Sequence, residues 1–302
     1  MKVLIAGLIP NDAGKTVLAA SLVKALLREG VSATPVKPLG ATDLWGHPEA
    51  LNRSREARLV VTWDGYILHR ASGGRLPIEV INPIGALLAP TPPSRYRSRS
   101  GYEASLVEPY RRAVLTRVTG CAGGSRSLHL ANADALSRVP QQVSEALQEV
   151  IMYLTPPPTP ASDEAIAGIF SGAGSTAADT CLAMAEASSD AVIVESNSDV
   201  VAPTPSSSYP SLAIMVAPGE AYLVEGTRLS RALEAIAMSG RPWAAKAMEA
   251  LELTGHLGRV DLPLLEDPDE GYPPDVISPL VEAVKGRLRK GLTTENYESL
   301  IT

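Results

Sequence analysis

The sequence predicts an α/β protein built on a mostly parallel sheet with helices on both faces. Short apolar runs alternate along the chain with stretches of helical periodicity, a pattern typical of parallel sheets. Apolar residues make up 45% of the 302 residues, so the chain can bury a large core. The first thirty residues place a strand, a loop and a helix in that order. We expect a single domain over residues 1–302, with an insertion rich in Pro, Arg and Ser around residues 91–160.

The first strand and the first helix are the most clearly marked elements. Residues 3–6 form a short apolar run, and residues 17–29 carry apolar side chains at spacings of three and four, as on one face of a helix. Lys24 and Arg28 lie in the last turns, where cations suit the helix dipole, and Gly30 is a typical helix end.

The later elements follow from the same two patterns. Further strands are predicted at residues 32–36, 191–195, 211–216 and 260–265. Further helices are predicted at residues 48–60, 138–153, 177–188, 228–238 and 279–289. Residues 75–93 are interpreted as extended and interrupted by prolines, whereas residues 242–253 fit neither pattern. A local excess of arginine between residues 94 and 126 is interpreted as a solvated surface, with an anion-contacting flap as the alternative.

The composition argues against several classes of protein. The net charge of −6 is unlike that of a non-specific nucleic-acid binder. No apolar run reaches the roughly 20 residues that cross a membrane, and Met1-Lys2 leads directly into a strand without a signal peptide. The two cysteines and four histidines have no metal-ligand spacing, and Cys181 is interpreted as a small buried residue. We therefore expect a cytoplasmic protein without membrane or nucleic-acid partners.

The loop between the first strand and the first helix ends in Gly-Lys-Thr. Between a strand and a helix, a Gly-Lys-Thr tripeptide is typical of nucleotide-phosphate binding, because backbone N–H groups and the helix dipole favour negative charge. Lys15 would reach the β- and γ-phosphates, and the Thr16 hydroxyl would ligate Mg²⁺. The standard motif G-x-x-x-x-G-K-[ST] has glycine where this chain has Ile9, and Gly7 lies two residues too early. The predicted nucleotide-binding residues are Asn11, Asp12, Ala13, Gly14, Lys15, Thr16 and Val17.

A carboxylate follows the apolar run at residues 191–194. Enzymes that bind Mg-nucleotides at such a loop need a carboxylate near the metal, usually at the end of a buried strand. Glu195 meets this requirement, although a glutamate at a strand end can also be a plain surface residue. We favour the metal-site interpretation, because the phosphate-binding loop lies in the same chain.

Four segments resemble, in order, the dethiobiotin synthetase family of P-loop enzymes. They are Asn11-Asp12-Ala13-Gly14-Lys15-Thr16, Val36-Lys37-Pro38, Asn82-Pro83 with Pro90-Thr91-Pro92-Pro93, and Val194-Glu195. The opening Gly7-Leu8-Ile9-Pro10-Asn11-Asp12-Ala13-Gly14-Lys15-Thr16 is also similar to that of a group of archaeal predicted P-loop ATPases/GTPases. The resemblance to the synthetases implies a P-loop NTPase fold.

The resemblance further implies that ATP, with Mg²⁺, phosphorylates a carboxylate or carbamate, which an amine then attacks. Lys15 and Lys37 would be catalytic, with Lys37 facing the reacting carboxylate and the γ-phosphate. Thr16 and Glu195 would hold the metal, with Glu56 as the other carboxylate and Asp43 as its rival. The implied partners are a nucleotide and a small anionic substrate, and a homodimer is the candidate oligomeric state.

Two other functions stay open. One is a regulatory or chaperone-like P-loop ATPase/GTPase that acts on a protein partner, and the other is a nucleotide-binding fold without catalysis. Lys37 distinguishes the synthetase from the partner-regulating enzyme, because a synthetase needs a cation facing its acceptor. The chain has no Asn-Lys-x-Asp sequence, the motif that reads guanine, which favours ATP over GTP without deciding between them.

Overall fold

The computed structural model describes residues 1–237, 245–268 and 270–298. The strands are β1 (Lys2–Gly7), β2 (Ala33–Val36), β3 (Leu39–Asp43), β4 (Ile84–Leu88), β5 (Ala113–Gly120), β6 (Arg126–Asn132), β7 (Thr159–Ala161), β8 (Ala191–Glu195), β9 (Leu212–Ala217), β10 (Glu220–Glu225) and β11 (Gly258–Asp261). The α-helices are α1 (Lys15–Arg28), α2 (Glu49–Ala57), α3 (Trp63–Ala71), α4 (Ile78–Ile81), α5 (Arg99–Val107), α6 (Ala133–Leu136), α7 (Gln141–Tyr153), α8 (Asp163–Gly168), α9 (Ser175–Ala187), α10 (Gly226–Ala237), α11 (Ala247–Thr254) and α12 (Pro274–Glu298).

The α/β class predicted from the sequence is confirmed, and most of the predicted elements have a counterpart. Four predicted strands correspond to β1, β2, β8 and β9, and the predicted strand 260–265 shares only residues 260 and 261 with β11. The predicted helices correspond to α1, α2, α7, α9, α10 and α12. The ambiguous stretch 242–253 includes all but the last residue of α11, while residue 238 and residues 242–244 lie outside the described residues. The interpretation of residues 75–93 as wholly extended is wrong for α4, and β3 and α3 are among the elements that were not predicted.

The contacts along the chain divide it into two compact units. The first comprises Met1–Val36, Leu68–Leu76 and the residues from Ala183 on, and the second comprises Lys37–Ile67 and Pro77–Leu182. Compact units of contacts do not by themselves define independently folding domains. The single domain with an insertion around residues 91–160 therefore stays a prediction.

The first unit contains a sheet of six strands among the described residues, in the order β11-β10-β9-β1-β8-β2. Strand β1 is parallel to both β8 and β9, and β2 is parallel to β8, whereas β10 is antiparallel to both of its neighbours. Strand β8 is buried along its whole length, as expected of a parallel strand covered on both faces. Helix α1 contacts β1, β2 and β8 and buries Leu18, Leu22 and Leu26, which are spaced four apart.

The second unit contains a mixed sheet, whose five described strands have the order β3-β4-β5-β6-β7. The outer pairs are parallel, and the inner pairs β4–β5 and β5–β6 are antiparallel. The prediction of one mostly parallel sheet is therefore incomplete. The antiparallel strands β5 and β6 lie within residues 91–160, the range that the sequence predicts to be an insertion.

Arg117 on β5 is the largest fully buried side chain among the residues that the structure describes. Its guanidinium donates hydrogen bonds to the backbone carbonyls of Val60 and Asn82. Burial lowers its pKa to about 10 because the charged form loses hydration. The interpretation of the arginine-rich stretch as a solvated surface is therefore wrong for this residue.

Cys121, just after β5, forms a disulfide with Cys181 on α9. Cys181 is fully buried, but its interpretation as an ordinary small residue missed this bond. The two cysteines are 60 residues apart, so no local pattern in the sequence joins them. Among the helices of the described ranges, none is both long enough and apolar enough to cross a membrane.

Candidate functional site

The loop between β1 and α1 turns tightly before the helix begins. Gly14 is the N-cap of α1 and has a φ of 85°, a left-handed conformation that glycine adopts without strain. Asp12 also has a positive φ, of 54°. Asn11 and Asp12 are exposed, whereas Ala13 is buried. The loop thus leads directly into the positive end of the helix dipole, where anions are stabilised.

Lys15 is the first residue of α1, and its side chain lies back against the end of β1. It is only 8% exposed, and its Nζ donates a hydrogen bond of 2.7 Å to the backbone carbonyl of Ser198, in the loop after β8. A Cβ atom built on Gly7 would lie 2.7 Å from Nζ and 3.1 Å from Cδ of Lys15. Gly7 is therefore required by the path of the lysine side chain. This role could not be predicted from the motif, because Gly7 lies two residues before the glycine position of the standard sequence.

Thr16 and Glu195 are brought into direct contact. The Thr16 hydroxyl donates a hydrogen bond of 2.7 Å to Oε1 of Glu195. The parallel pairing of β1 and β8 places Glu195 opposite Ile5, close to the end of β1 from which the loop begins. Glu195 is completely buried, so it is not a surface residue. A hydroxyl and a carboxylate thus meet beside the N-terminus of α1.

This arrangement has the chemistry that a nucleotide bound with Mg²⁺ requires. Mg²⁺ takes oxygen ligands and commonly binds one or two carboxylates together with phosphates, and Thr16 and Glu195 offer such oxygens. Lys15 and the free N–H groups at the start of a helix suit phosphate oxygens. Within the described parts of the chain, no cluster of three or more His, Cys, Asp or Glu forms a metal site made by protein alone. The residues therefore fit a metal ion that is bound partly by protein oxygens and partly by phosphate oxygens.

Lys37 belongs to the second unit and is held from two sides. Its Nζ forms an ion pair of 2.6 Å with Oδ2 of Asp64, in the first turn of α3. Its backbone N–H donates to Ile81, and its backbone carbonyl accepts from Nδ2 of Asn82. Lys37 is 5% exposed, whereas the carboxylate side chain of Asp64 is 33% exposed. Asp64 is not among the site residues predicted from the sequence, although an acid at the start of a helix is a recognisable pattern.

Asn82 lies at the centre of a tightly packed polar network beside Lys37. Its Oδ1 accepts a hydrogen bond of 2.8 Å from the Thr62 hydroxyl. Cβ atoms built on Gly40, Gly65 and Gly85 would each lie 2.9 Å from an atom of Asn82. Asn82, the residue before Pro83, thus holds the backbone of Lys37 in place through the hydrogen bond to its carbonyl.

The two carboxylates considered as the other metal ligand have different surroundings. Glu56, on α2, is mostly exposed and forms an ion pair of 2.8 Å with Arg53. Asp43, at the end of β3, forms an ion pair of 2.6 Å with Arg112 and accepts a hydrogen bond from the backbone of Trp45. Both carboxylates thus have an ion-pair partner within the second unit.

No model of a protein family matches this chain, and no curated protein matches its sequence.

Proposed function

We propose that this protein is an ATP-dependent, Mg²⁺-dependent phosphoryl-transfer enzyme of the P-loop fold, similar to the dethiobiotin synthetases. The observation that carries the proposal is the hydrogen bond between Thr16 and the buried Glu195 at the start of α1. In open α/β sheets, ligands bind outside the carboxyl ends of the strands, and β1 and β8 both end at this point. A buried carboxylate is costly unless it is hydrogen-bonded or holds a cation, so its place beside a phosphate-binding loop supports a metal role.

Within this proposal, the residues of the first unit hold and orient the nucleotide. Lys15 binds the β- and γ-phosphates, and the N–H groups of residues 13–17 point at the same oxygens. Thr16 and Glu195 hold Mg²⁺, which neutralises phosphate charge when it is bound. Catalysis of phosphoryl transfer rests on such positioning and charge neutralisation.

The proposed reaction has two steps. A carboxylate or carbamate oxygen of the substrate forms a bond to the γ-phosphorus, the bond from that phosphorus to the β,γ-bridging oxygen breaks, and ADP leaves. An amine nitrogen then bonds to the carbonyl carbon, inorganic phosphate leaves with the bonding electrons, and the amine loses a proton to solvent. The resemblance assigns Lys37 to the acceptor carboxylate, and its burial beside Asp64 keeps a cation in a fixed place.

The test is ADP release by the purified protein with Mg-ATP and a panel of small dicarboxylates and diamines. Turnover stimulated by one such pair is expected for the wild type and is lost in Lys15→Ala. Lys24→Ala, which removes a lysine from the other end of the same helix, is the matched control and should keep full activity. Unchanged ATP affinity of Lys15→Ala in calorimetry would exclude the phosphate-binding assignment.

A partner-regulating ATPase is the second candidate, and one set of contacts favours it. Lys15 binds the carbonyl of Ser198, and the neighbouring Asp199 forms an ion pair of 2.5 Å with Lys246. If Lys15 moved toward a phosphate, it would therefore release the loop after β8, which the ion pair with Lys246 joins to the start of α11. The two candidates differ in Lys37→Ala. The synthetase loses turnover while keeping ATP binding, whereas the partner-regulating enzyme hydrolyses ATP at the wild-type rate.

A further inference from the structure

Tyr272 lies in the segment between β11 and α12 and reaches the start of α1. A Cβ atom built on Gly14, the N-cap of α1, would lie 3.6 Å from the Tyr272 hydroxyl. The backbone of Tyr272 is fixed further along the same helix, where its N–H donates a hydrogen bond of 2.8 Å to Oγ of Ser21. The tyrosine side chain therefore extends back along the first two turns of α1, toward the phosphate-binding loop.

The anchor of this segment on α1 is a close and specific contact. Gly271 has a φ of 78°, and a Cβ atom at this position would lie only 2.5 Å from Oγ of Ser21. The same Oγ donates to the backbone carbonyl of Val17, so Ser21 joins α1 to Tyr272. Pro273 and Pro274 follow directly and restrict the backbone up to the start of α12. The position of the Tyr272 ring is thus set by residues around it.

The hydroxyl of Tyr272 is suited to donate a hydrogen bond. Burial raises the pKa of Tyr272, so the phenol stays neutral and keeps its proton at physiological pH. Within the described ranges, no hydrogen bond joins this hydroxyl to another protein group. A neutral donor beside the positive end of a helix suits a phosphate oxygen, because hydrogen bonds to charged acceptors are stronger than those between neutral groups.

We propose that Tyr272 is a nucleotide-contacting residue whose hydroxyl donates a hydrogen bond to the phosphate chain at the N-terminus of α1. This inference rests on the proposed function, because it requires that α1 binds phosphates. It adds a contact from the C-terminal part of the chain to a site otherwise built from the loop after β1 and the end of β8.

The experiment measures binding of two probes, Mg-ATP and magnesium tripolyphosphate, by titration calorimetry. Tyr272→Phe removes only the hydroxyl and is expected to weaken both probes by about tenfold or more, the usual effect of losing a hydrogen bond to a charged group. Tyr209→Phe is the matched control, since Tyr209 is an exposed tyrosine of the same unit, and it should bind both probes as the wild type does. Tripolyphosphate lacks a nucleoside, so equal losses for the two probes locate the contact on the phosphates.

The outcomes separate this inference from the proposed function. If Lys15→Ala does not weaken either probe, or if the wild type binds neither, the proposed function fails and this inference fails with it. If Lys15→Ala weakens both probes while Tyr272→Phe weakens neither, only the Tyr272 contact is overturned. Weaker ATP binding with unchanged tripolyphosphate binding also overturns it, because the hydroxyl would then contact the nucleoside.

Discussion

Substitution of Gly7 by alanine tests the path of the Lys15 side chain. The added methyl group would lie 2.7 Å from Nζ, closer than the roughly 3.5 Å or more of an ordinary contact, so the ammonium must move by several tenths of an ångström or more. Ala13 limits the movement, because its Cβ would lie 3.1 Å from the same methyl group. The ammonium therefore leaves the position from which it would bind phosphate.

The magnitude follows from the interaction that is lost. A hydrogen bond to a charged group contributes about 1.5–3 kcal/mol, which corresponds to a loss of about 10- to 150-fold in Mg-ATP affinity. The free energy of unfolding should decrease by only about 1–2 kcal/mol, because the displaced atoms are the end of a flexible side chain. Calorimetric titration with Mg-ATP and urea denaturation measure the two effects separately.

The matched control for Gly7→Ala is Gly286→Ala. Gly286 lies in α12, and a Cβ atom there would meet nothing within 4 Å, so this variant should bind ATP normally and gain stability. Wild-type ATP affinity in Gly7→Ala, together with lost affinity in Lys15→Ala, would refute the reasoning. The contact of Lys15 with Gly7 would then have no part in nucleotide binding.

Three further predictions address the metal, the core of the second unit and the pH dependence of the free energy of unfolding. Glu195→Gln keeps an oxygen to accept from Thr16 but loses the charge, so half-maximal ATP turnover should need about tenfold more Mg²⁺; an unchanged Mg²⁺ titration would argue against a metal role. Arg117→Ala leaves two buried carbonyls without donors and opens a cavity, so urea denaturation should show a loss of about 4 kcal/mol, and Arg117→Met should recover part of it. Burial lowers the pKa of His129, so the unfolded chain takes up the proton first and the free energy of unfolding should decrease as the pH falls below about 6.5; a His129→Gln variant with the same pH profile would contradict this assignment.

The parts of the fold that the sequence predicted are those whose signal is local. The apolar run of β8 and the periodicity of α1 lie within single stretches of sequence, and each was located to within two residues. Strand β3 has the sequence LGATD and carries no apolar run. It is a strand because it pairs with β4. Propensity and pattern are weak where tertiary pairing decides the structure.

The candidate site divides in the same way. Lys15, Thr16 and Glu195 could be named because each lies at the boundary of a recognisable strand or helix. Asp64 could not be named from the sequence, because its importance comes from an ion pair with Lys37, which lies 27 positions earlier. Gly7 does not fit the glycine position of the standard motif, and its role depends on the Lys15 side chain, which comes from the next element. Contacts of this kind follow from three-dimensional packing and leave no periodic trace.

The disulfide between Cys121 and Cys181 has a consequence for how fragments of this protein behave. The bond joins residues 60 positions apart, and the stretch between them includes β6, α7 and α8. A protease that cuts once anywhere inside this stretch produces two polypeptides that stay covalently joined. The cut protein therefore migrates as one species under denaturing, non-reducing conditions and separates into two only after a reductant is added.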